Sequence, residues 1–374
     1  MPRATNNILL LMLYLIALAA VSLLTRGLFP VDETRYTTVA WEMWLRGDFL
    51  VPHLNAETYS HKPPLLFWLI HLGWKLFGVN EWWPRLIPFI FSFAALLLVQ
   101  QLGRRLWPQT DAWLMAPFVV LGFTIWAFFS TAVMFDMMLA FFVLLAITGI
   151  HRVVSGDGSR WWMLVGVAWG LGVLSKGPVI FVHTLPLLLL ARYWAADDSN
   201  INWKQLLAGG LLALIIAAAI VFAWVIPAVI TGGDDYAHSL LFGQNVERAL
   251  QAPNDALPWW YYIAFMPFIL FPWAYWGGSW KALRTSEGNA ADNKSRRFCI
   301  AWMIPVLLLF TLISGKKVHY LLPVLPAAAL YLSGLLANRA GQGSRREMWL
   351  LTVLYLCVAA GIGSLLFLYG PADE

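Results

Sequence analysis

Long apolar runs alternate with short polar breaks along the chain, and the run lengths set its class. Stretches such as "NILLLMLYLIALAAVSLL" and "LLAGGLLALIIAAAIVFAWVI" approach or exceed the roughly 20 apolar residues that cross a hydrocarbon core. The pattern predicts eleven spans, over residues 8–25, 84–102, 111–129, 131–150, 161–175, 177–193, 205–230, 258–280, 298–314, 319–337 and 348–369. Segment 64–78 is apolar but short and carries His71 and Lys75, so it is expected to lie as a helix at the membrane interface. A second periodicity fills the gap after the first run. In "FPVDETRYTTVAWEMWLRGD", Tyr36, Val39, Ala40, Met43 and Trp44 recur at helical spacing, with Arg35, Thr38, Glu42 and Arg46 opposite. An amphipathic helix starting near Asp32 and resting on the outer leaflet is expected, with Glu42 and Arg46 spaced as an ion pair.

Composition agrees with the pattern. Of 374 residues, 60% are hydrophobic and only 12% charged, far from the balance of soluble domains. The expected class is an all-α polytopic membrane protein, with no nucleic acid among its partners. The 22 tryptophans cluster at span ends, as at Trp82, Trp83, Trp161, Trp162, Trp259 and Trp260, which is the aromatic belt of a membrane protein. Both cysteines, Cys299 and Cys357, lie inside apolar runs, so neither a disulfide framework nor a paired-cysteine metal site is expected. The region Ser22 to Arg26 offers no small-residue cleavage site, and the first run reads as a retained span. No separate soluble C-terminal domain is expected: the whole of 1–374 reads as one transmembrane unit.

Charge placement orients it. With the N-terminus inside, alternate loops hold Arg3, Arg104, Arg105, Arg152, Arg160, Arg192, Lys204, Lys281, Arg284, Lys294, Arg296, Arg297, Arg339, Arg345 and Arg346, a positive-inside bias. The other face carries two long loops, 26–83 and 231–258, and lysines in very short turns: Lys176 in "LSKGPV", Lys316 and Lys317 in "SGKKVHY". These lysines oppose the insertion rule and sit at membrane depth, where charge is expensive and marks function. Snorkelling to anionic headgroups is the plain alternative for any one of them.

The 26–83 loop concentrates the candidate chemistry. As a helix start, Asp32 would be an N-cap and Glu33 a favourable first-turn charge, which leaves Arg35 and Tyr36 unexplained. Further on, Pro63 and Pro64 in "YSHKPPLLFW" force His61 and Lys62 into an extended approach and then begin a helix. A basic residue held beside free backbone amides at a helix start is a place for phosphate.

Taken together, "VDETRYTTVAWEMWLRGDFLVPHL", "YSHKPPLLFW", "RLIPFIFS", "MFDMMLAFF", "SKGP" and "KKVHYLLPVLP" resemble, in this order, the bacterial 4-amino-4-deoxy-L-arabinose (lipid A) transferases. Those belong to a wider family shared with the protein O-mannosyltransferases. The resemblance runs from about Phe29 to Pro326 and is specific to the family, not to a sugar. It implies the multispan C-type glycosyltransferase (GT-C) fold, with its catalytic acid in a large first periplasmic loop, in the bacterial inner membrane. It implies a sugar on an undecaprenyl or other polyprenyl phosphate carrier as donor, and lipid A, another envelope glycan or a protein as acceptor.

Residue by residue, the resemblance makes Asp32 the catalytic acid of the Asp-Glu pair, Glu33 its partner, and Asp136 a second acidic group on the same cavity. Lys62 matches the family's Lys-Pro-Pro lysine; Arg35, Lys176 and one of Lys316 or Lys317 would hold the carrier phosphate, with Tyr59 and Tyr320 beside it. Two departures stand out. His61 occupies a position that is often Glu in the arabinose transferases, and "YAHSLLFGQNVERAL" differs from their version of that loop. A divalent ion would fall to His61, His238 or Asp32; otherwise both histidines are plain interfacial side chains. Such a donor is already activated, and no nucleotide-binding glycine motif occurs. A polyprenyl-lipid transporter or flippase is the rival class, against which stand the absence of an internal repeat and the crowding of polar residues on one face.

Overall fold

The computed structural model describes residues 2–195, 202–240, 257–284 and 290–337. The span expected at 348–369, Arg339, Arg345, Arg346, Cys357 and most of the 231–258 loop lie outside the described residues. The described chain is a helix bundle: α1 (Pro2–Thr25), α2 (Asp32–Arg46), α3 (Leu65–Phe77), α4 (Trp82–Leu106), α5 (Ala112–Gly122), α6 (Thr124–Thr131), α7 (Asp136–Val154), α8 (Trp161–Lys176), α9 (Val179–Leu189), α10 (Ala191–Trp194), α11 (Trp203–His238), α12 (Tyr261–Ile269), α13 (Gly277–Arg284), α14 (Ala290–Leu312) and α15 (Leu325–Ala337). A two-residue β-hairpin pairs His53–Leu54 with Glu57–Thr58, and a 3-10 segment, Val318–Val324, runs into α15.

Among the described residues, six helical stretches are long and apolar enough to cross a membrane: Arg3–Thr25, Trp82–Leu106, Asp136–Val154, Trp203–His238, Asp292–Leu312 and Val318–Ala337. A seventh arises if α5 and α6, bent by 68° at their junction, count as one span. The remaining expected spans are broken or short. Segment 177–193 divides at Leu190 into α9 and α10, and 258–280 divides into α12, a turn at Trp273–Tyr275 and α13. Pro272, which has no N–H for a helical ladder, stands at the second break. The bend between α5 and α6 also has a packing cause. A Cβ at Gly122 would come 2.6 Å from the Trp273 indole, and the Thr124 N–H donates to the Phe271 carbonyl at 3.2 Å.

The bundle centres on α7, which is buried along most of its length and packs against α4, α8, α9 and the Val318–Val324 segment. In contrast, α1 and α11 expose apolar rows such as Leu9, Leu13 and Ile16, or Leu207, Leu211 and Ile215, to the surrounding hydrocarbon.

The two helices of the 26–83 loop are where the pattern placed them, but their apolar faces turn inward. Tyr36, Val39, Ala40 and Met43 of α2, and Leu66, Phe67 and Ile70 of α3, are buried within the main core. Helix α2 thus packs on the bundle and not on a leaflet, because burying large aromatic and aliphatic side chains against protein also brings close-packed contacts. The expected Glu42–Arg46 pair is replaced by a shared grip on the hairpin turn. Glu42 accepts from the Asn55 and Ala56 N–H groups at 2.6 and 3.1 Å, and Arg46 donates to the Ala56 carbonyl at 3.3 Å. Asn55 and Ala56 both have positive φ, so their amides point away from any strand ladder and need these acceptors.

Candidate active site

Asp32 and Glu33 open α2 side by side, and the fold gives them opposite surroundings. Asp32 does not cap the helix: Val31 is the N-cap residue and no side chain caps it. The Asp32 Oδ1 accepts instead from the Arg35 guanidinium, one turn on, and from the Tyr36 hydroxyl at 3.2 Å. Both contacts fall on Oδ1; Oδ2 accepts from no group among the described residues. The side chain is 39% exposed. Burial, followed by the Asp32 charge, pushes the Tyr36 phenol well above its ordinary range, so it stays protonated and donates.

Glu33 is 2% exposed and fully engaged. It accepts from Arg26 Nη1 at 2.6 Å, Arg26 Nη2 at 3.3 Å, the Phe29 N–H at 2.6 Å and the Val133 N–H at 2.5 Å. Arg26 also donates to the Thr131 carbonyl at 2.5 Å. One carboxylate therefore staples the 26–29 segment to residues 131–133, and this staple brings the start of α2 to the start of α7. Asp136 lies three residues beyond Val133.

Asp136 opens α7, is 2% exposed, and pairs with the Lys176 ammonium at the end of α8. A buried carboxylate needs such a partner. Lys176 Nζ lies 5.1 Å from the centre of the Tyr320 ring. Around this pair the charges converge: Lys62 and His319 lie within electrostatic reach of Asp136. Asp32, Asp136, Lys176 and Lys317 all lie within such reach of His319. Tyr59 is buried and acts on both Arg35 and Tyr36. Phe135 supports both halves, meeting Tyr36 edge-on at 4.9 Å and Phe67 at 5.7 Å. Asp32, Arg35, Tyr36, Tyr59, Lys62, Asp136, Lys176, Lys317, His319 and Tyr320 thus share one end of the bundle.

The two lysines of "GKKVHY" separate. Lys316 is buried and donates to the carbonyls of Leu257 at 2.8 Å and Ile313 at 2.6 Å, closing the C-terminus of α14. Lys317 is exposed beside His319. His61 and His238 are both exposed; the Ser60 and Ser239 hydroxyls, 2.6 Å apart, tie their segments together. Among the described residues no three of His, Cys, Asp and Glu come together to hold a metal ion. Pattern reading missed Arg26, Tyr36 and His319 as members of this end. His319 stands in "KKVHY", but its role needs the 3-10 segment that brings it near Asp136.

The architecture and this charged cluster define a multispan membrane protein with a mixed-charge site at one end of its helices. Residues 61–225 match the family model described as dolichyl-phosphate-mannose-protein mannosyltransferase. The chain is 29% identical over 345 residues to the undecaprenyl phosphate-alpha-4-amino-4-deoxy-L-arabinose arabinosyl transferase of Pseudomonas paraeruginosa, covering 91% of this chain and 61% of that relative. It is 30% identical over 390 residues to the enzyme of the same name from Pectobacterium atrosepticum, covering 98% of this chain and 66% of that one. The crystal structure of ArnT from Cupriavidus metallidurans bound to undecaprenyl phosphate superposes with a TM-score of 0.77 at 22% identity, over 99% of this chain and 66% of that chain. The fold is accordingly GT-C. In sequence and fold the chain is similar to the ArnT-like GT-C membrane proteins. It spans about three fifths of the length of the curated relatives it matches.

Proposed function

We propose that this chain is a glycosyltransferase that moves a sugar from an undecaprenyl phosphate carrier to an envelope acceptor, with its site facing the periplasm. The observation that carries the reading is the Asp32 carboxylate. One of its oxygens is held by Arg35 and Tyr36 and the other is unengaged, beside a buried Asp136–Lys176 pair. The names of the relatives point to 4-amino-4-deoxy-L-arabinose as the sugar, and lipid A is the acceptor class that the family resemblance implies.

The chemistry follows from the charges. When the bond between the anomeric carbon and the phosphate oxygen breaks, its electron pair leaves on the phosphate, whose negative charge grows. Fixed cations in a site poor in water stabilise that growth more than bulk water does. Lys62, Lys176 and Lys317 supply point charges, and Arg35 a planar fork suited to phosphate. An acceptor hydroxyl loses its proton to Asp32 Oδ2 as its oxygen bonds to the anomeric carbon. An acceptor phosphate is already ionised, and Asp32 then orients it. Attack opposite the departing phosphate inverts the anomeric centre. In this scheme Glu33 holds α2 to α7 while Asp32 reacts, and Lys316 holds a helix end while Lys317 meets the donor. The 26–83 loop is the catalytic unit, within a single transmembrane domain.

A second reading is supported by the family model, whose description names transfer of mannose to protein. Both are tested by one experiment: membranes containing the chain or its Asp32→Asn variant are supplied with labelled polyprenyl-phosphate sugar. Label entering lipid A with Asp32 intact, and not with the Asp32→Asn variant, supports the first reading. Label entering protein supports the second, and label entering neither acceptor overturns both.

A further inference from the structure

A separate cavity of about 940 Å³ lies where the end of α7, the start of α8 and the start of α11 meet. It is far from the charged site. Helix α7 runs from Asp136 to Val154 and α8 from Trp161 to Lys176. At 1.5 Å per residue, roughly 28 Å of helix separates this cavity from Asp136.

Its lining is divided. Ser159, Arg160 and Gln205 form a polar rim, while Trp162, Leu206 and Leu212 form an apolar wall. The one acidic side chain of the rim loop, Asp157, is taken by Arg105 and by Arg152 Nη1 at 3.8 Å. Arg160 has no carboxylate partner among the described residues, and its guanidinium lies 5.5 Å from the centre of the Trp161 ring. Trp162 is 2% exposed and lies against Gly209, where a Cβ would come 1.9 Å from its Nε1. An exposed guanidinium without a carboxylate partner thus borders the concavity and can donate to an anionic acceptor there. The wall continues beside the exposed row Leu207, Leu211 and Ile215 of α11, which faces hydrocarbon.

We propose that this cavity binds the phosphate headgroup of an anionic glycerophospholipid, with its acyl chains lying along α11. Charge complementarity names the headgroup: this end of the bundle carries Arg104, Arg105, Arg152, Arg160 and Lys204. Basic concavities between spanning helices on the positive-inside leaflet are suited to acidic lipid headgroups. The apolar wall selects a lipid over free phosphate, which would leave Leu206 and Leu212 uncovered. The site is independent of the sugar-transfer reading.

The test is native mass spectrometry of the full chain after exchange into micelles containing phosphatidylglycerol, phosphatidylcholine, or inorganic phosphate without added phospholipid. The chain should retain phosphatidylglycerol about tenfold more tightly than phosphatidylcholine. Arg160→Gln should remove most of that preference, since a charge-assisted bond to phosphate is worth about a tenfold change in affinity. Ala208→Trp, at an exposed position lining the cavity, should expel the lipid while the thermal midpoint of the protein is kept. Equal retention of the two lipids, full preference in Arg160→Gln, or retention of inorganic phosphate without any lipid preference would each overturn the proposal.

Discussion

Asp32 and Glu33 are adjacent in sequence and opposite in circumstance. Each faces an arginine, yet only Glu33 is closed off: both its oxygens are occupied, by one guanidinium and two backbone amides from segments about 100 residues apart. Asp32 keeps one oxygen on Arg35 and Tyr36 and the other unengaged. A buried carboxylate with all its lone pairs satisfied is inert toward a substrate and costly to disturb. A held but half-engaged carboxylate is pre-aimed and still reactive. What separates structural from chemical acid at this end of the bundle is the count of remaining acceptor sites, and charge alone does not distinguish them.

The sharpest way to break this contrast is at Asp32 itself. Asp32→Asn keeps the size and the contacts with Arg35 and Tyr36 but removes the proton acceptor. Transfer from a labelled polyprenyl-phosphate sugar should fall by about 10²- to 10⁴-fold, the range of general-base catalysis, with an unchanged thermal midpoint. Glu33→Ala should act in the opposite sense. It leaves the half-buried Arg26 without its anion and releases the 26–29 segment from residues 131–133, at a cost of about 3 kcal/mol, measured by thermal unfolding in detergent. Glu33→Gln keeps part of the staple and should lose less. A Glu33→Gln protein of full stability and no activity would reverse the two roles.

Much of this end was legible beforehand, for a physical reason. The α2 and α3 boundaries and the burial of Tyr36, Val39, Ala40 and Met43 follow from local periodicity, which a single stretch contains. Lys176, Lys316 and Lys317 stand out as charge placed at membrane depth, equally local, whereas the roles of Asp32, Arg35 and Asp136 come from the family resemblance. What was not legible depends on distant partners. Nothing in "DETRY" says that Glu33 meets Val133, or that α2 packs on the bundle in place of a leaflet. The bend at Gly122 requires Trp273, some 150 residues on, and the different fates of Lys316 and Lys317 require the Leu257 carbonyl.

That last pair sharpens the contrast at smaller scale. Lys316→Met removes two charge-assisted bonds to carbonyls at the end of α14, and should cost about 2 kcal/mol of stability with little change in transfer at saturating donor. Lys317→Met, at an exposed position near His319, should leave the thermal midpoint alone and raise the KM for the donor several-fold. Separate measurements of KM and of thermal midpoint on both variants check this, and a KM effect confined to Lys316→Met would exchange the two lysines.

The smallest effect expected is a slope with pH, and it concerns the closed side of α2. His71 in α3 bonds the Ala40 carbonyl through Nε2 at 2.8 Å, while burial pulls its pKa below the ordinary 6.5. A buried imidazole of this kind stays neutral in the folded protein when the unfolded chain has already taken up a proton. The unfolded state then binds more protons, so stability contributed here is complete above about 6.5 and declines as the pH falls below it. Thermal unfolding between pH 7.5 and 5 should show that decline in the parent chain and a shallower one in His71→Gln, which retains an N–H donor without titrating. His71 bonds α2 at Ala40, about two turns from Asp32, so an activity profile that followed the stability profile point for point would show that the two faces of this helix are not independent.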